Sequence, residues 1–596
     1  MNQISNEMKF RSIGLIRIIL ATALILVSCS ATVKKKISIL ETTDIHGVIL
    51  PYDFIEQKKL DASLASSYTF IRKTRKEKEA VILLDDGDNL QGQPEVYYYN
   101  FIDTISPHIV SEVMNFMGYD ACTIGNHDVE AGHAVYDRMV KEDNFPLLAA
   151  NAVDIKTGKP YFKPYQIIIK DGIKIAVLGL VTPAIPNWLP PELYSGIEFR
   201  DMVETAKQWM PVILNEKPDL VVGLFHSGWD RSDYQSQNDN PLNENGSAAV
   251  AYNVPGFDII FNGHDHKLAN EKFVNSAGDT VLILDGGSRS EKITRADVTI
   301  SSGKTKGKKQ RKIKGSIINV ADFKPDPEYI SKFSPQEKII EGYVNRVIGT
   351  SSETISSRDA YFGPSAFVDM IHSIQLEITG ADISFAAPLS FDVQITKGPI
   401  TVGDMFKLYR FENMLYTMSL TGEEIRKYLE YSYSVWYNKM NNANDELLML
   451  RTGKDGKPLL TNGKAWFRNQ SYNFDSAAGI YYTVDVSKPA GQRITITGFT
   501  DGRPFEKDKT YKVAVNSYRG NGGGGHFTEG AGIGKDELRK RLIKSTDRDL
   551  RYYILKSIET KKMINPEPLN CWKIIPEKWM KTVIPREYAL LFGKRK

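Results

Sequence analysis

The chain has 596 residues, too many for one ordinary hydrophobic core, so two or three domains are expected. Hydrophobic residues make up 42% and charged residues 25%, and a net charge of +4 over this length gives no electrostatic case for a nucleic-acid polymer or a membrane surface as partner. The three cysteines, Cys29, Cys122 and Cys571, exclude a disulfide framework and a Cys-rich zinc site.

The N-terminus reads as an address. Lys9, Arg11 and Arg17 precede the apolar stretch IILATALILV at 18–27, which is too short to span a bilayer as a stable helix. It ends in LVSC at 26–29, the pattern of a bacterial lipoprotein signal. The expectation is that residues 1–28 are removed and that a lipid on Cys29 is the sole membrane attachment. That places the protein in the envelope of a Gram-negative-type bacterium, periplasmic or surface-facing.

From about residue 37 short runs of branched apolar residues alternate with polar loops: Ile37–Leu40, Val81–Leu84, Ile173–Val181, Leu220–Phe225, Asp258–Phe261 and Val281–Leu284. Such runs predict strands buried on both faces, with helices between them near 63–78 and 106–117. The basic segment 303–315 reads as a solvated hairpin tip. Residues 325–349 read as a linker entering a helix, with Ser334 and Glu337 as a capping box and Pro335 at the first helical position. A second α/β unit is expected beyond it, with helices near 365–378 and 421–437 and strands near 382–386, 414–420 and 510–516. The end of the chain is basic with scattered aromatics.

The polar residues at the ends of the apolar runs carry the chemistry. Asp44 and His46 come after the first run, Asp88 after the second. GNHD supplies Asn126, His127 and Asp128, the run at 220–225 ends in His226, and the next leads to His264 and His266. Five of the nine histidines thus sit at predicted strand C-termini, where sheet-based enzymes gather their sites. Carboxylate, imidazole and amide oxygen together suit first-row divalent ions, and on extended chain the Asp-x-His and His-x-His spacings point both side chains one way. Seven ligands are too many for one ion but fit two ions sharing one carboxylate.

In this order the motifs Asp44-Ile-His46, Gly87-Asp88-Asn89, Gly125-Asn126-His127-Asp128, His226 and Gly263-His264-Asp265-His266 resemble the calcineurin-like metallophosphoesterases. The stretches at 406–422, 471–491 and 515–525 resemble the C-terminal domain of bacterial 5′-nucleotidases, most nearly the 2′,3′-cyclic-nucleotide 2′-phosphodiesterase/3′-nucleotidases. The resemblance implies a four-layer αββα sandwich, then a linker helix and a second α/β nucleotide-binding domain. The units would be 35–322 (catalytic), 323–350 (linker and hinge), 351–575 (substrate-binding) and a basic tail at 576–596. It implies two divalent metal ions, of Mn, Zn, Co or Fe: one held by Asp44, His46 and His266, the other by Asn126, His226 and His264, with Asp88 bridging. His127 would be catalytic, Glu130 stands where a supporting acid is expected, and Asp128 is expected to support the loop. Two such ions about 3.5–4 Å apart activate a shared hydroxide for in-line attack on phosphorus.

The same resemblance assigns the base-stacking pair to Phe411 and Tyr518, with Asn413 and Asn516 as polar contacts. It implies a closing rotation of the two units about the linker helix. The expected function is hydrolysis of nucleotides outside the cytoplasm by a monomer, first as a 2′,3′-cyclic phosphodiesterase and 3′-nucleotidase. The alternatives are a 5′-nucleotidase or UDP-sugar hydrolase and, remotely, a non-catalytic surface binding protein. His108, His133, His372 and His526 match no motif and are read as structural or surface residues.

Overall fold

The apolar runs become strands because each is covered on both faces. In the computed structural model, which describes residues 34–78, 80–232, 234, 242–302 and 309–593, the first half holds two six-stranded sheets. The expected lipoprotein signal with Cys29 and residues 303–308 of the basic segment lie outside the described residues. One sheet centres on Lys34–Thr42 and Val81–Asp85, which run parallel; the other on Ile173–Val181, Leu220–His226 and Ile259–Asn262, also parallel.

Alternation along these strands builds the layers. Ile37, Ile39, Ile82 and Leu84 of the first sheet meet Val177, Val222, Leu224 and Phe261 of the second in one buried cluster. Their neighbours Leu40 and Leu83 face the helices Leu64–Glu77 and Ile109–Met117, while Leu178, Val221 and Ile260 face the helix Met202–Asn215. The result is the expected αββα sandwich. Because the central strands are parallel, their C-terminal ends emerge at one edge, and every metal motif lies at or just beyond the strand ends there.

The linker helix differs from its expected start. It runs Pro327–Val344, with the Asp326 carboxylate accepting from the Glu328 and Tyr329 amides as cap. Tyr329 and Phe333 bury into the helix-side cluster of the catalytic half, so the turns before Pro335 are drawn onto the core. Pro335 therefore sits mid-helix. Its missing amide would have served the Ser331 carbonyl, and the Ser334 hydroxyl donates there instead, at 3.2 Å. Ser334 repairs the helix rather than capping it.

The second half is built on a five-stranded sheet in the order Ser476–Ala478, Ile383–Ala386, Thr510–Asn516, Met414–Thr421, Leu542–Asp549. Helices Ala366–Thr379 and Gly422–Trp436 fall where the sequence put them. The expected basic tail is instead the helix Glu577–Phe592, whose Met580, Val583, Leu591 and Phe592 join the main core of this half. Its buried Glu587 carboxylate accepts from the Leu447 and Leu448 amides at 2.6 and 2.9 Å. The apolar side of that helix is masked in the sequence by its exposed lysines. Ile55 and Tyr97 of the first half are buried among residues of the second, so the two halves share packed surface. Cys122 and Cys571 are buried and free. Among the described residues no helix is long and apolar enough to cross a membrane.

Candidate metal centre and adjoining cleft

The loop backbone does what extended chain could not. Asp44, His46, Asp88, His264 and His266 have φ of 47°, 49°, 57°, 79° and 57°, the left-handed region that non-glycine residues seldom enter. The expectation of extended Asp-x-His and His-x-His segments is thus corrected: strained turns aim these side chains inward. Such strain persists only where surrounding contacts fix it. Glycines make the close approaches possible. A Cβ on Gly125 would lie 2.1 Å from Asp88 Oδ1, and one on Gly263 would lie 2.6 Å from Asp44 Oδ2.

Two sets of donor atoms result, Asp44 with His46 and His266, and Asp88 with His226 and His264. In the first, the His46 and His266 Nε2 atoms face each other at 3.0 Å, with Asp44 Oδ1 3.3 Å from the latter. In the second, His226 Nε2 lies 3.2 Å from Asp88 Oδ2, and Asn126 Oδ1 lies 3.2 Å from His226 Nε2 and 2.7 Å from His264 Nδ1. The pair in GHDH thus divides between the two sets. Asp265 turns away, accepting from Lys267 Nζ at 2.9 Å.

Backbone carbonyls fix the tautomers. His46 Nδ1 donates to Gln91 O at 3.3 Å and His226 Nδ1 to Asp86 O, so each Nε2 faces the centre. Burial lowers His46 to about 4, leaving it neutral and able to ligate. Burial opposes charge on Asp88, yet His226 and His127 hold its carboxyl well below the usual range; in return Asp88 raises His226 far above its ordinary value against burial. The site demands positive charge where the donors converge. Oxygen and imidazole donors around that demand fit divalent cations, as this fold implies.

His127 donates its backbone N–H to Asp88 Oδ1 at 2.8 Å, and its Nδ1 meets Glu130 Oε2 at 2.5 Å. Burial disfavours its charge, but Asp88 and Glu130 outweigh that and push its pKa up to about 10. Asp128 instead organises the loops, accepting from the amides of Asp88, Asn89, Leu90 and Gly125.

A cavity of about 270 Å3 opens beside this centre, between the two halves. His127, Glu130, Asn126 and His264 line one side; Phe411, Asn413, Asn516 and Tyr518 line the other. Sequence reasoning missed Trp188, Glu244, Leu389 and Tyr472, which also face it. Tyr472 stands edge-on to both Phe411 and Tyr518, with ring centroids 6.3 and 6.5 Å away. Asn516 Oδ1 caps the Arg519 amide at 2.8 Å, which leaves its side-chain NH2 for the cavity.

Two buried ion pairs hold these loops. Arg519 grips Asp475 through Nε at 3.0 Å and Nη2 at 3.2 Å, and its other donors reach the carbonyls of Tyr472 and Gly523 at 2.7 Å each. That pair ties the YNFD stretch to the NSYRG stretch. Arg551 donates to Glu412 Oε1 at 2.7 Å and to the carbonyls of Tyr409 and Arg410, fixing the loop that bears Phe411. The remaining histidines are structural: His108 and His372 are buried on Asn100, Ser384 and Ser476, His526 on two carbonyls, and His133 pairs with Asp137 near the surface.

This fold and this site define a metal-dependent phosphoester hydrolase. Residues 37–268 match the calcineurin-like phosphoesterase family and residues 347–529 match the 5′-nucleotidase C-terminal domain. The chain thus carries a calcineurin-like phosphoesterase domain followed by a 5′-nucleotidase C-terminal domain. It is 25% identical, over 90% of its length and 87% of the relative's, to a Haemophilus influenzae 2′,3′-cyclic-nucleotide 2′-phosphodiesterase/3′-nucleotidase. It is 28% identical over 95% of its length to the Bacillus subtilis trifunctional nucleotide phosphoesterase protein YfkN, of which it spans only 40%. A Staphylococcus aureus protein crystallised with alpha-ketoglutarate shares the architecture, with a TM-score of 0.73 at 22% identity over 91% of this chain and all of that one.

Proposed function

We propose that the protein hydrolyses nucleotide phosphoesters, as a 2′,3′-cyclic-nucleotide 2′-phosphodiesterase and 3′-nucleotidase. The observation that carries this reading is the shared cavity: Asn126, His264 and His127 line one wall, and the aromatic pair Phe411 and Tyr518 the opposite one. The name of the Haemophilus influenzae relative supports the first choice of substrate. The 5′-nucleotidase match of the second half supports the other reading, a 5′-nucleotidase or UDP-sugar hydrolase. Two adjoining groups of candidate donors, with Asn126 Oδ1 against His226 and His264, support a catalytic reading over a purely non-catalytic binding protein.

In this proposal Asp44, His46 and His266 would hold one divalent cation, and Asn126, His226 and His264 the other, with Asp88 as their shared carboxylate. The cations, when bound, supply an activated water and the charge neutralisation that in-line displacement at phosphorus needs. His127, held protonated by Asp88 and Glu130, stabilises the developing charge and delivers a proton to the leaving alkoxide. Phe411 and Tyr518 offer π-faces to the base, with Asn413 and Asn516 at its edges. Residues 35–322 act as the catalytic unit and 351–575 as the substrate-binding unit, hinged at 323–350, in a monomer tethered to the envelope through Cys29.

Metal-replete enzyme assayed side by side with 2′,3′-cAMP, 3′-AMP, 5′-AMP and a nucleotide sugar tests the reading. Faster turnover of the first two is expected. Preference for 5′-AMP or the nucleotide sugar assigns the second reading, and no turnover of any refutes both.

A further inference from the structure

Glu244 stands between the metal donors and the aromatic slot. Its backbone carbonyl accepts from the Ser227 hydroxyl at 2.8 Å, and that hydroxyl also accepts from the Gly246 amide at 2.8 Å. Ser227 directly follows His226, so the Glu244 backbone is pinned beside the centre. Its Oε1 accepts the His264 Nε2 proton at 3.1 Å, which leaves His264 Nδ1 facing Asn126 Oδ1. Its charge also acts on the phenols of Tyr472 and Tyr518 across the cavity. Glu244 thus touches His264 and lines the same cavity as Tyr472 and Tyr518.

Among the described residues lining the cavity the only carboxylates are Glu130 and Glu244, and Glu130 is committed to His127. The Glu244 side chain is about half exposed, and its Oε2 has no hydrogen-bond partner among the described residues. A nucleotide with phosphorus at the donors and its base in the slot must put its sugar between them. Sugar hydroxyls are donors, and a carboxylate oxygen covered without a donor would lose its hydration uncompensated. We propose that Glu244 is a specificity-determining residue that accepts a hydrogen bond from a sugar hydroxyl of the bound nucleotide, selecting ribonucleotides over deoxygenated ones. This inference rests on the nucleotide reading of the cavity.

The test compares wild type, Glu244→Gln and Glu244→Ala by kcat/KM on 3′-AMP with its 2′-deoxy and 5′-deoxy analogues, on 5′-AMP with its 2′,3′-dideoxy analogue, and on p-nitrophenyl phosphate. Any loss transmitted through His264 falls on all substrates alike, so the hydroxyl-to-deoxy ratio isolates the sugar contact. In wild type at least one deoxy analogue is expected to be poorer than its parent by about tenfold or more. In Glu244→Ala that ratio should collapse towards one, with Glu244→Gln between. Nucleotide turnover without discrimination in wild type, or discrimination unchanged in the alanine variant, overturns the inference alone. Turnover of p-nitrophenyl phosphate but of no nucleotide overturns the nucleotide reading itself.

Discussion

The metal centre and the aromatic slot face one cavity but are held in different ways. At the centre most candidate ligands lie on left-handed backbone at the ends of core strands, and backbone carbonyls fix the imidazoles of His46 and His226. In the slot, Phe411, Tyr472 and Tyr518 have ordinary backbone, and their loops are tied by long-range buried pairs, Arg519 with Asp475 and Arg551 with Glu412. Charged donors tolerate little displacement, so their scaffold is local and strained. Stacking tolerates more, and loops tied at a few buried points suffice. Damage at the centre should therefore abolish chemistry, whereas damage at the slot should weaken binding or stability and spare chemistry on substrates without a base.

The largest effect expected is from His226→Ala. A cation at such a site contributes several kcal/mol to transition-state stabilisation, so kcat should fall on the order of a thousandfold or more on every substrate. Metal analysis of the purified variant should find fewer bound ions; full activity would break the two-ion proposal. His127→Asn should lower kcat by roughly 10²–10⁴-fold with metal content unchanged. Glu130→Gln should cost less, about tenfold, and move the alkaline limb of the pH profile down, because Glu130 raises the pKa of an acid that must be protonated to act.

On the slot side, Arg519→Met leaves Asp475 buried without its partner and should cost about 3–5 kcal/mol in stability, read by thermal or urea unfolding. Burial alone would raise Asp475, but Arg519 holds it below the ordinary aspartate value. The wild-type advantage from this pair should be complete above about pH 4 and shrink as pH falls through the folded pKa of Asp475. Phe411→Ala should raise KM for nucleotides by about 0.5–1.5 kcal/mol worth of stacking while leaving p-nitrophenyl phosphate unaffected. Phe411→Tyr keeps the π-face and should change little. A large kcat loss in either Phe411 variant would erase the distinction between the two regions.

The two regions also differ in how much of them could be read in sequence. Metal ligation restricts residue type and spacing, so Asp44, His46, Asp88, Asn126, His226, His264 and His266 stand out in short motifs. Tyr472 lies inside the YNFD stretch and could have been suspected from it. Trp188 and Leu389 carry no local signal, because an aromatic or leucine in a loop is indistinguishable from core. Glu244 is one acid in a polar loop, and only its fold-back onto Ser227 gives it meaning. The linker helix begins eight residues early because Asp326-Pro327 is as good a start as Ser334-Pro335, and buried Tyr329 and Phe333 decide between them.

By itself the sequence determined the strands, the layered catalytic half, the donor types and the pairing of a phosphoesterase half with a 5′-nucleotidase-type half. The strands, the layers and the donor types come from periodicity and side-chain chemistry, and the pairing of the halves from the resemblance of short motifs to known families; all are properties of short segments. The resemblance already implied which donors share a centre and that His264 and His266 part company. Tertiary structure alone decided that Arg519 and Asp475 join two distant stretches. It also decided that the ligand loops take left-handed backbone. Asp and His enter that conformation more readily than most side-chain-bearing residues but do not prefer it; it is imposed where packed loops must bring their donors to one point.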